Sequence, residues 1–137
     1  MTFLMNNSVE KPLKKKLVKV GKSDGTTEKD VISAIDGLLG IYPEIFWYTR
    51  LNSGKVETKW GSWVKLCDKG TPDFVAAIYF NGIISLLFIE AKKPGGTQQV
   101  EQLEFENSVR GIKNVFYILT ETAEKVNQVI HTIIYKE

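Results

Sequence analysis

Residues 74–93 read FVAAIYFNGIISLLFIEAKK and consist of two apolar runs separated by an Asn-Gly pair. Asn-Gly between runs rich in β-branched and aromatic residues is the strongest local signal for a two-residue type I′ β-hairpin. The sequence therefore predicts antiparallel strands at residues 74–80 and 83–93. The second run is apolar on both alternating faces, so we expect it in the middle of a sheet that is covered on both sides.

The hairpin also predicts which charged side chains meet at its open end. Counting outward from the Asn-Gly turn through the facing pairs places Asp73 opposite Glu90. Facing side chains project from the same face, and Lys92, two residues beyond Glu90, shares that face. Two carboxylates and one ammonium group are therefore expected to converge at this end of the hairpin.

Two carboxylates that face each other near a buried sheet repel, so a compensating positive charge is needed. Lys92 supplies one such charge, and Mg²⁺ would supply more, with the carbonyl oxygen of Ala91 as a further ligand. The competing interpretation is a solvated Asp–Lys–Glu cluster at a strand end, which would contribute little. A bulge in the hairpin would also send Asp73 to the opposite face of the sheet.

The rest of the chain predicts an α/β fold around this hairpin. We expect a first helix capped by Asp24, Thr26 or Thr27 and ending at Gly40, a second at residues 97–110 and a third at residues 122–136. Further strands are expected at residues 45–51 and 114–120, with a polar strand or loop region at residues 55–66. The predicted architecture is a mixed β-sheet with a central hairpin, flanked by helices on both faces. It forms a single domain at residues 23–137 that follows a basic arm at residues 1–22.

Composition excludes several classes of protein. The single cysteine and single histidine exclude an internal disulfide and make a structural zinc site untenable within one chain. No apolar run approaches the roughly 20 residues that a membrane span needs. We therefore expect a cytoplasmic protein.

The N-terminal arm is the most basic part of the chain. It contains six lysines and one nearby acid, Glu10; the lysines are Lys11, Lys14, Lys15, Lys16, Lys19 and Lys22. Two interpretations stay open: a solvated, mobile tail, or a segment attracted to phosphates.

Pro72-Asp73, followed by Glu90-Ala91-Lys92 at the end of the next strand, resembles the PD-(D/E)xK nuclease superfamily. An ordered set of further motifs narrows the resemblance: Thr27-Glu28, Arg50-Leu51-Asn52-Ser53-Gly54, Gly70-Thr71-Pro72-Asp73, Lys92-Lys93-Pro94-Gly95-Gly96, Gln102 and Phe105. Together these residues resemble a stand-alone VRR-NUC domain of the kind found in phage genomes, over residues 26–134.

The resemblance implies roles for the residues at the end of the hairpin. Asp73 and Glu90 would be the carboxylates that bind Mg²⁺, with Mn²⁺ as a substitute, and the Ala91 carbonyl would complete the inner set of ligands. Lys92 would hold or polarise the attacking water.

Two further residues receive roles from the resemblance alone. Glu28 would be an additional metal ligand or a water-positioning group, and Gln102 would lie close to Lys92 and the scissile phosphate. Each has a structural alternative. Glu28 could be a helix N-terminal acid stabilised by the helix dipole, and Gln102 could be a solvent-facing amide.

Candidate nucleic-acid contacts follow the first strand and the lysine motif. Arg50 could form charge-assisted hydrogen bonds to a phosphate. Asn52 and Ser53 offer side-chain donors that would position the DNA backbone without recognising its base sequence. Lys93 would extend this basic rim.

Trp60 and Trp63 lie in the polar region between the first strand and the hairpin. Aromatic residues in a strand region are typical of a core, so burial is the favoured interpretation. Stacking on exposed bases is the alternative.

The expected function is that of a Mg²⁺-dependent DNA endonuclease that selects branched or junction DNA, including Holliday junctions, and acts as a homodimer. Two other hypotheses remain: a catalytically inactive nucleic-acid-binding module of the same fold, and an interaction protein in which the charged cluster is coincidental.

Overall fold

The computed structural model describes residue 14 and residues 16–52, 55–65 and 67–136. Its elements are α1 (Glu28–Leu39), β1 (Ile45–Arg50), β2 (Lys55–Glu57), β3 (Trp63–Lys65), β4 (Phe74–Phe80), β5 (Ile83–Ala91), α2 (Val100–Val109), β6 (Val115–Thr120) and α3 (Ala123–Tyr135). Within these ranges, β1-β4-β5-β6 form a four-stranded sheet, and β2 and β3 form a separate two-stranded sheet. Within the predicted strand or loop region at residues 55–66, residues 55–65 thus form a short hairpin outside the main sheet.

The predicted β4–β5 hairpin and its register are confirmed. Asn81 and Gly82 both have positive φ angles, 55° and 81°, as a type I′ turn requires. Phe80 pairs with Ile83, and the ladder runs without a shift to the pair Phe74–Ile89. Because β5 also pairs in parallel with β6, the sheet is mixed, as expected.

Helices cover both faces of the sheet. On one face, α1 and α3 pack against β4 and β5; their shared core contains Val31, Ile35, Leu39, Phe74, Ile78, Leu87, Ile89, Val126, Ile130 and Ile134. On the other face, the Phe105 ring of α2 meets the Phe88 ring of β5 edge-on, with 5.0 Å between centroids. Alternation along β5 explains this division, since Leu87 and Ile89 point to one face and Phe88 and Glu90 to the other.

The predicted N-caps are correct for two of the three helices. The Thr27 side chain accepts the backbone N–H of Asp30, and the Asp30 carboxylate accepts that of Thr27, so α1 begins with a capping box. Thr122 caps α3 as predicted. The predicted start of α2 at Thr97 is wrong.

The N-cap of helix α2 lies two residues later, because the chain before it is held in an extended bridge. Thr97 pairs with Lys19, so its backbone is not free to open a helix. Gln99 is the N-cap instead, and its N–H donates to the side-chain oxygen of Gln102 over 2.7 Å.

Part of the basic arm is bound to the loop that follows β5. The backbone N–H of Val20 donates to the Gly96 carbonyl over 3.0 Å, and that of Gln98 donates to the Val18 carbonyl over 2.8 Å. Further back, the Lys14 ammonium lies 2.6 Å from a Glu106 carboxylate oxygen. A solvated tail is therefore the wrong description for Lys14 and for Val18–Val20.

In the described part of the chain, no helix combines the length and apolar character needed to cross a bilayer.

Candidate active site

Asp73 is anchored to both of its neighbouring strands. Its Oδ2 atom accepts a 2.8 Å hydrogen bond from the backbone N–H of Ala91, and its backbone carbonyl accepts one from Leu51. The β4–β5 register, extended by one pair, places Asp73 across from Glu90 on the face that α2 covers. The N–H and C=O groups of a strand residue point to the same edge, so the Ala91 carbonyl lies on the Asp73 side as well.

Glu90 is a buried carboxyl with one oxygen satisfied and one left open. The residue is 3% exposed, and its Oε2 atom accepts a 2.9 Å hydrogen bond from the side-chain amide of Gln102. Its Oε1 atom is buried and receives no hydrogen bond from a donor, so a hydrogen bond between the Glu90 and Asp73 carboxyl groups requires a shared proton. Burial, and then the adjacent Asp73 carboxylate, raise the pKa of Glu90 to about 9, against the opposing effect of Lys92. In the absence of metal, the Asp73–Glu90 pair therefore retains a proton at neutral pH.

Lys92 lies next to this pair and is itself buried, at 8% exposure. Its backbone N–H donates to the Thr120 carbonyl over 2.9 Å, which fixes the chain just beyond the end of β5. Its positive charge opposes the rise in pKa of both Glu90 and Glu28. The structure thus brings together the two carboxylates and the lysine that the hairpin register predicts.

Glu28 stands at the first position of α1 and faces the same charges. Partial burial of its carboxyl and the Asp73 carboxylate raise its pKa, while Lys92, Arg50 and Lys93 act in the opposite direction. A helix N-terminus by itself would lower the pKa of an acid at this position. The pKa of Glu28 rises instead, so Glu28 belongs to the electrostatic environment of the site.

The donor set fits a hard divalent cation held by two carboxylates. Among the described residues, no group of three or more His, Cys, Asp or Glu side chains is arranged to hold a metal ion. Mg²⁺ needs fewer protein ligands, because it keeps several waters and binds through one or two carboxylates together with substrate phosphates. The unpartnered Oε1 of Glu90 beside Asp73 is the observation that fits such an ion.

Gln102 links α2 to the site. Its amide nitrogen donates to Glu90 Oε2, and its carbonyl oxygen accepts the N–H of Gln99 at the helix start. Because both ends of the amide are engaged, the side chain is not the solvent-facing amide that the alternative interpretation required. Its fixed position orients the Glu90 carboxyl.

Sequence reasoning missed a polar layer beneath the site. Gln98 is 1% exposed, and its amide nitrogen donates to Glu106 over 2.8 Å. The Tyr117 hydroxyl is buried nearby, and its pKa is raised by burial and then by the Glu90 charge. Tyr117 pairs with Phe88 across the parallel β5–β6 ladder. No local sequence signal sets that register, so Tyr117 could not be placed near Glu90 in advance.

The candidate DNA contacts are only partly brought to the site. Lys93 is exposed, and the positive charges of Lys93 and Arg50 both oppose the rise in the pKa of Glu28. The Arg50 guanidinium also lies 5.9 Å from the centre of the Phe74 ring. Asn52 is exposed, and its carbonyl accepts the Cys67 N–H over 2.7 Å. Ser53 lies outside the described residues.

The favoured interpretation of Trp60 and Trp63 as core residues is wrong. They are 80% and 64% exposed. The physical reason is that β2 and β3 form a sheet of two three-residue strands, which has too little surface to bury an indole.

Gly70 controls how the Asp73 loop packs on α2. Its φ angle is +94°, and a Cβ atom there would lie 2.5 Å from the backbone oxygen of Glu101. Gly70→Ala is expected to lower the free energy of unfolding by about 1–3 kcal/mol, measured by urea denaturation. Gly25→Ala is the matched control, because Gly25 shares the positive φ but has open space around its Cβ position. Equal losses in the two variants would show that the contact with α2 is unimportant.

Among protein-family models, curated proteins and solved structures, none matches this chain.

Proposed function

We propose that this protein is a Mg²⁺-dependent endonuclease that hydrolyses DNA phosphodiester bonds, with a VRR-NUC-like PD-(D/E)xK core. The observation that carries the proposal is the pair formed by half-buried Asp73 and buried Glu90, which has an open carboxylate oxygen and the Lys92 ammonium beside it. Burying one carboxyl group beside a second one costs stability, so such a pair is expected where a function requires it.

Asp73, Glu90 and the Ala91 carbonyl would hold the ion. When bound, Mg²⁺ would lower the pKa of a water and neutralise charge that develops on the phosphate, with Mn²⁺ as a substitute. The Ala91 N–H fixes the orientation of Asp73, and the Gln102 amide fixes that of Glu90. Lys92 places a positive charge where the attacking water and the phosphate oxygens would lie. Glu28 is positioned to orient water at the rim.

Arg50 and Lys93 supply positive charge on the Glu28 side of the site, where a phosphate backbone would approach. The family resemblance adds two features to the proposal. The first is selectivity for branched or junction DNA, and the second is action as a homodimer in the bacterial or phage-infected cytoplasm. Symmetric cutting of a two-fold junction needs two copies of the site.

The test is a cleavage assay with a labelled four-way junction and a linear duplex of matched sequence, each in Mg²⁺, Mn²⁺ or EDTA. We expect metal-dependent cutting of the junction that Lys92→Ala abolishes. Lys113→Ala, which removes an exposed lysine just before β6, is the control and should cut normally. Binding without cutting in either metal would favour an inactive binding module, and neither binding nor cutting would favour an interaction protein.

A further inference from the structure

The β2–β3 hairpin carries two exposed indoles on a compact loop. Trp60 lies in the loop and Trp63 at the start of β3, opposite Glu57. The Thr58 N–H donates to the Ser62 carbonyl over 2.7 Å, and the Thr58 hydroxyl accepts the N–H groups of Trp60 and Ser62. These bonds close the loop, and both rings project from it into solvent.

The base of this hairpin is joined to the candidate active site by backbone hydrogen bonds. The Cys67 N–H donates to the Asn52 carbonyl over 2.7 Å, which closes the two ends of the hairpin. One residue before Asn52, the Leu51 N–H donates to the Asp73 carbonyl over 2.7 Å. The hairpin therefore leaves the main sheet at the end where Asp73 and Glu90 lie.

The amino-acid composition of the hairpin suits DNA binding. Residues 55–65 contain three lysines, Lys55, Lys59 and Lys65, and one acid, Glu57. The Lys59 ammonium lies 4.9 Å from the centre of the Trp60 ring. Aromatic rings interleaved with cations are typical of surfaces that bind single-stranded nucleic acid, where rings stack on bases and cations meet phosphates. Lysine is depleted from protein–protein interfaces, which disfavours a protein partner here.

We propose that the Trp60 and Trp63 rings, with Lys59 beside them, stack on unpaired bases of the DNA substrate and thereby select DNA with unpaired bases over continuous duplex. Bases inside a duplex already stack on their neighbours, so an indole has no free base face to contact. Bases exposed at a branch point or in a single-stranded segment offer that face. This inference rests on the proposed nuclease function, because it assigns a substrate feature to the same site.

The chain's three tryptophans allow a direct binding test. Trp47→Phe/Trp63→Phe leaves Trp60 as the reporter, and Trp60→Phe/Trp63→Phe leaves Trp47, which is also exposed but lies on β1. Each protein is titrated in EDTA with a single-stranded oligothymidine and with a linear duplex. We expect the oligothymidine to quench Trp60 fluorescence and to leave Trp47 fluorescence unchanged.

Alanine variants then measure selectivity. Trp60→Ala and Trp63→Ala are each expected to weaken binding of a junction with unpaired bases by about 5- to 150-fold, the range for loss of one stacked base. Binding of the linear duplex should change less than twofold. Thermal melting should be unchanged, since both side chains are exposed.

The outcomes separate this inference from the proposed function. Quenching of Trp60 by DNA in a protein that cuts nothing would support the inference and reject the nuclease proposal. Normal cutting with an unchanged ratio of junction to duplex binding in both alanine variants would overturn the inference alone. A Trp60 emission shift that depends on protein concentration and not on DNA would overturn it in favour of a contact between copies of the chain.

Discussion

Replacing Asp73 by asparagine is expected to reduce Mg²⁺-dependent DNA cleavage by about 10³-fold or more, the equivalent of several kcal/mol of transition-state stabilisation. The substitution removes one of the two carboxylates that would hold the ion. It keeps the local structure, because the amide oxygen can still accept the Ala91 N–H that Asp73 Oδ2 accepts now. The amide nitrogen could also donate to the buried Glu90 Oε1, which has no partner.

The measurement combines single-turnover cleavage with Mg²⁺ binding by calorimetry. Asp73→Asn should lose both activity and metal affinity while its urea midpoint stays equal to, or rises above, that of the wild-type protein. Asp36→Asn, at an exposed position on α1, is the matched control and should change neither quantity. Retention of metal affinity together with loss of cleavage would show that Asp73 acts otherwise than as a ligand.

The part of the site that could be predicted from sequence is the part encoded by one local signal. Asn81-Gly82 specifies a two-residue turn, and such a turn sets the pairing of every residue in the two strands. The proximity of Asp73 and Glu90 follows from that register by counting. The apolar periodicities of α1 and α3 and the caps at Thr27 and Thr122 were predictable for the same reason, since each depends on a few neighbouring residues.

The rest depends on contacts between distant segments. Helix α2 begins at Val100 because Lys19 pairs with Thr97 from 78 residues earlier in the chain, which no local pattern reveals. Tyr117 reaches the site through a parallel pairing that no turn specifies. Trp60 and Trp63 were assigned to the core because aromatic residues usually mark one, yet their hairpin stands outside the main sheet.

Replacing Glu90 by glutamine is expected to abolish cleavage and to stabilise the metal-free protein at the same time. Glutamine has nearly the shape of a protonated glutamic acid. Its carbonyl can accept the Gln102 amide hydrogen, and its amide can donate to Asp73. The variant therefore keeps the hydrogen bonds of the buried pair but needs no proton to fold. At pH 8 in EDTA, the free energy of unfolding should rise by up to about 5 kcal/mol.

The pH dependence gives this prediction its signature. Folding raises the pKa of Glu90 from 4.5 to about 9, with burial as the main cause. Below pH 4.5 both states hold the proton, and Glu90 does not change stability with pH. Between pH 4.5 and 9 the unfolded state releases the proton while the folded state keeps it. The wild-type protein should therefore lose up to about 1.4 kcal/mol per pH unit relative to Glu90→Gln.

Urea unfolding at several pH values in EDTA measures this difference, with Glu104→Gln, an exposed position on α2, as the control. Saturating Mg²⁺ should raise the wild-type midpoint at pH 8, because the ion takes the place of the proton, and should leave Glu90→Gln unchanged. Parallel pH profiles for the two proteins would contradict the burial of a shared proton. A site that weakens the fold at high pH until a cation binds fits a metal-dependent function, whereas a coincidental surface cluster would show neither the pH slope nor the response to Mg²⁺.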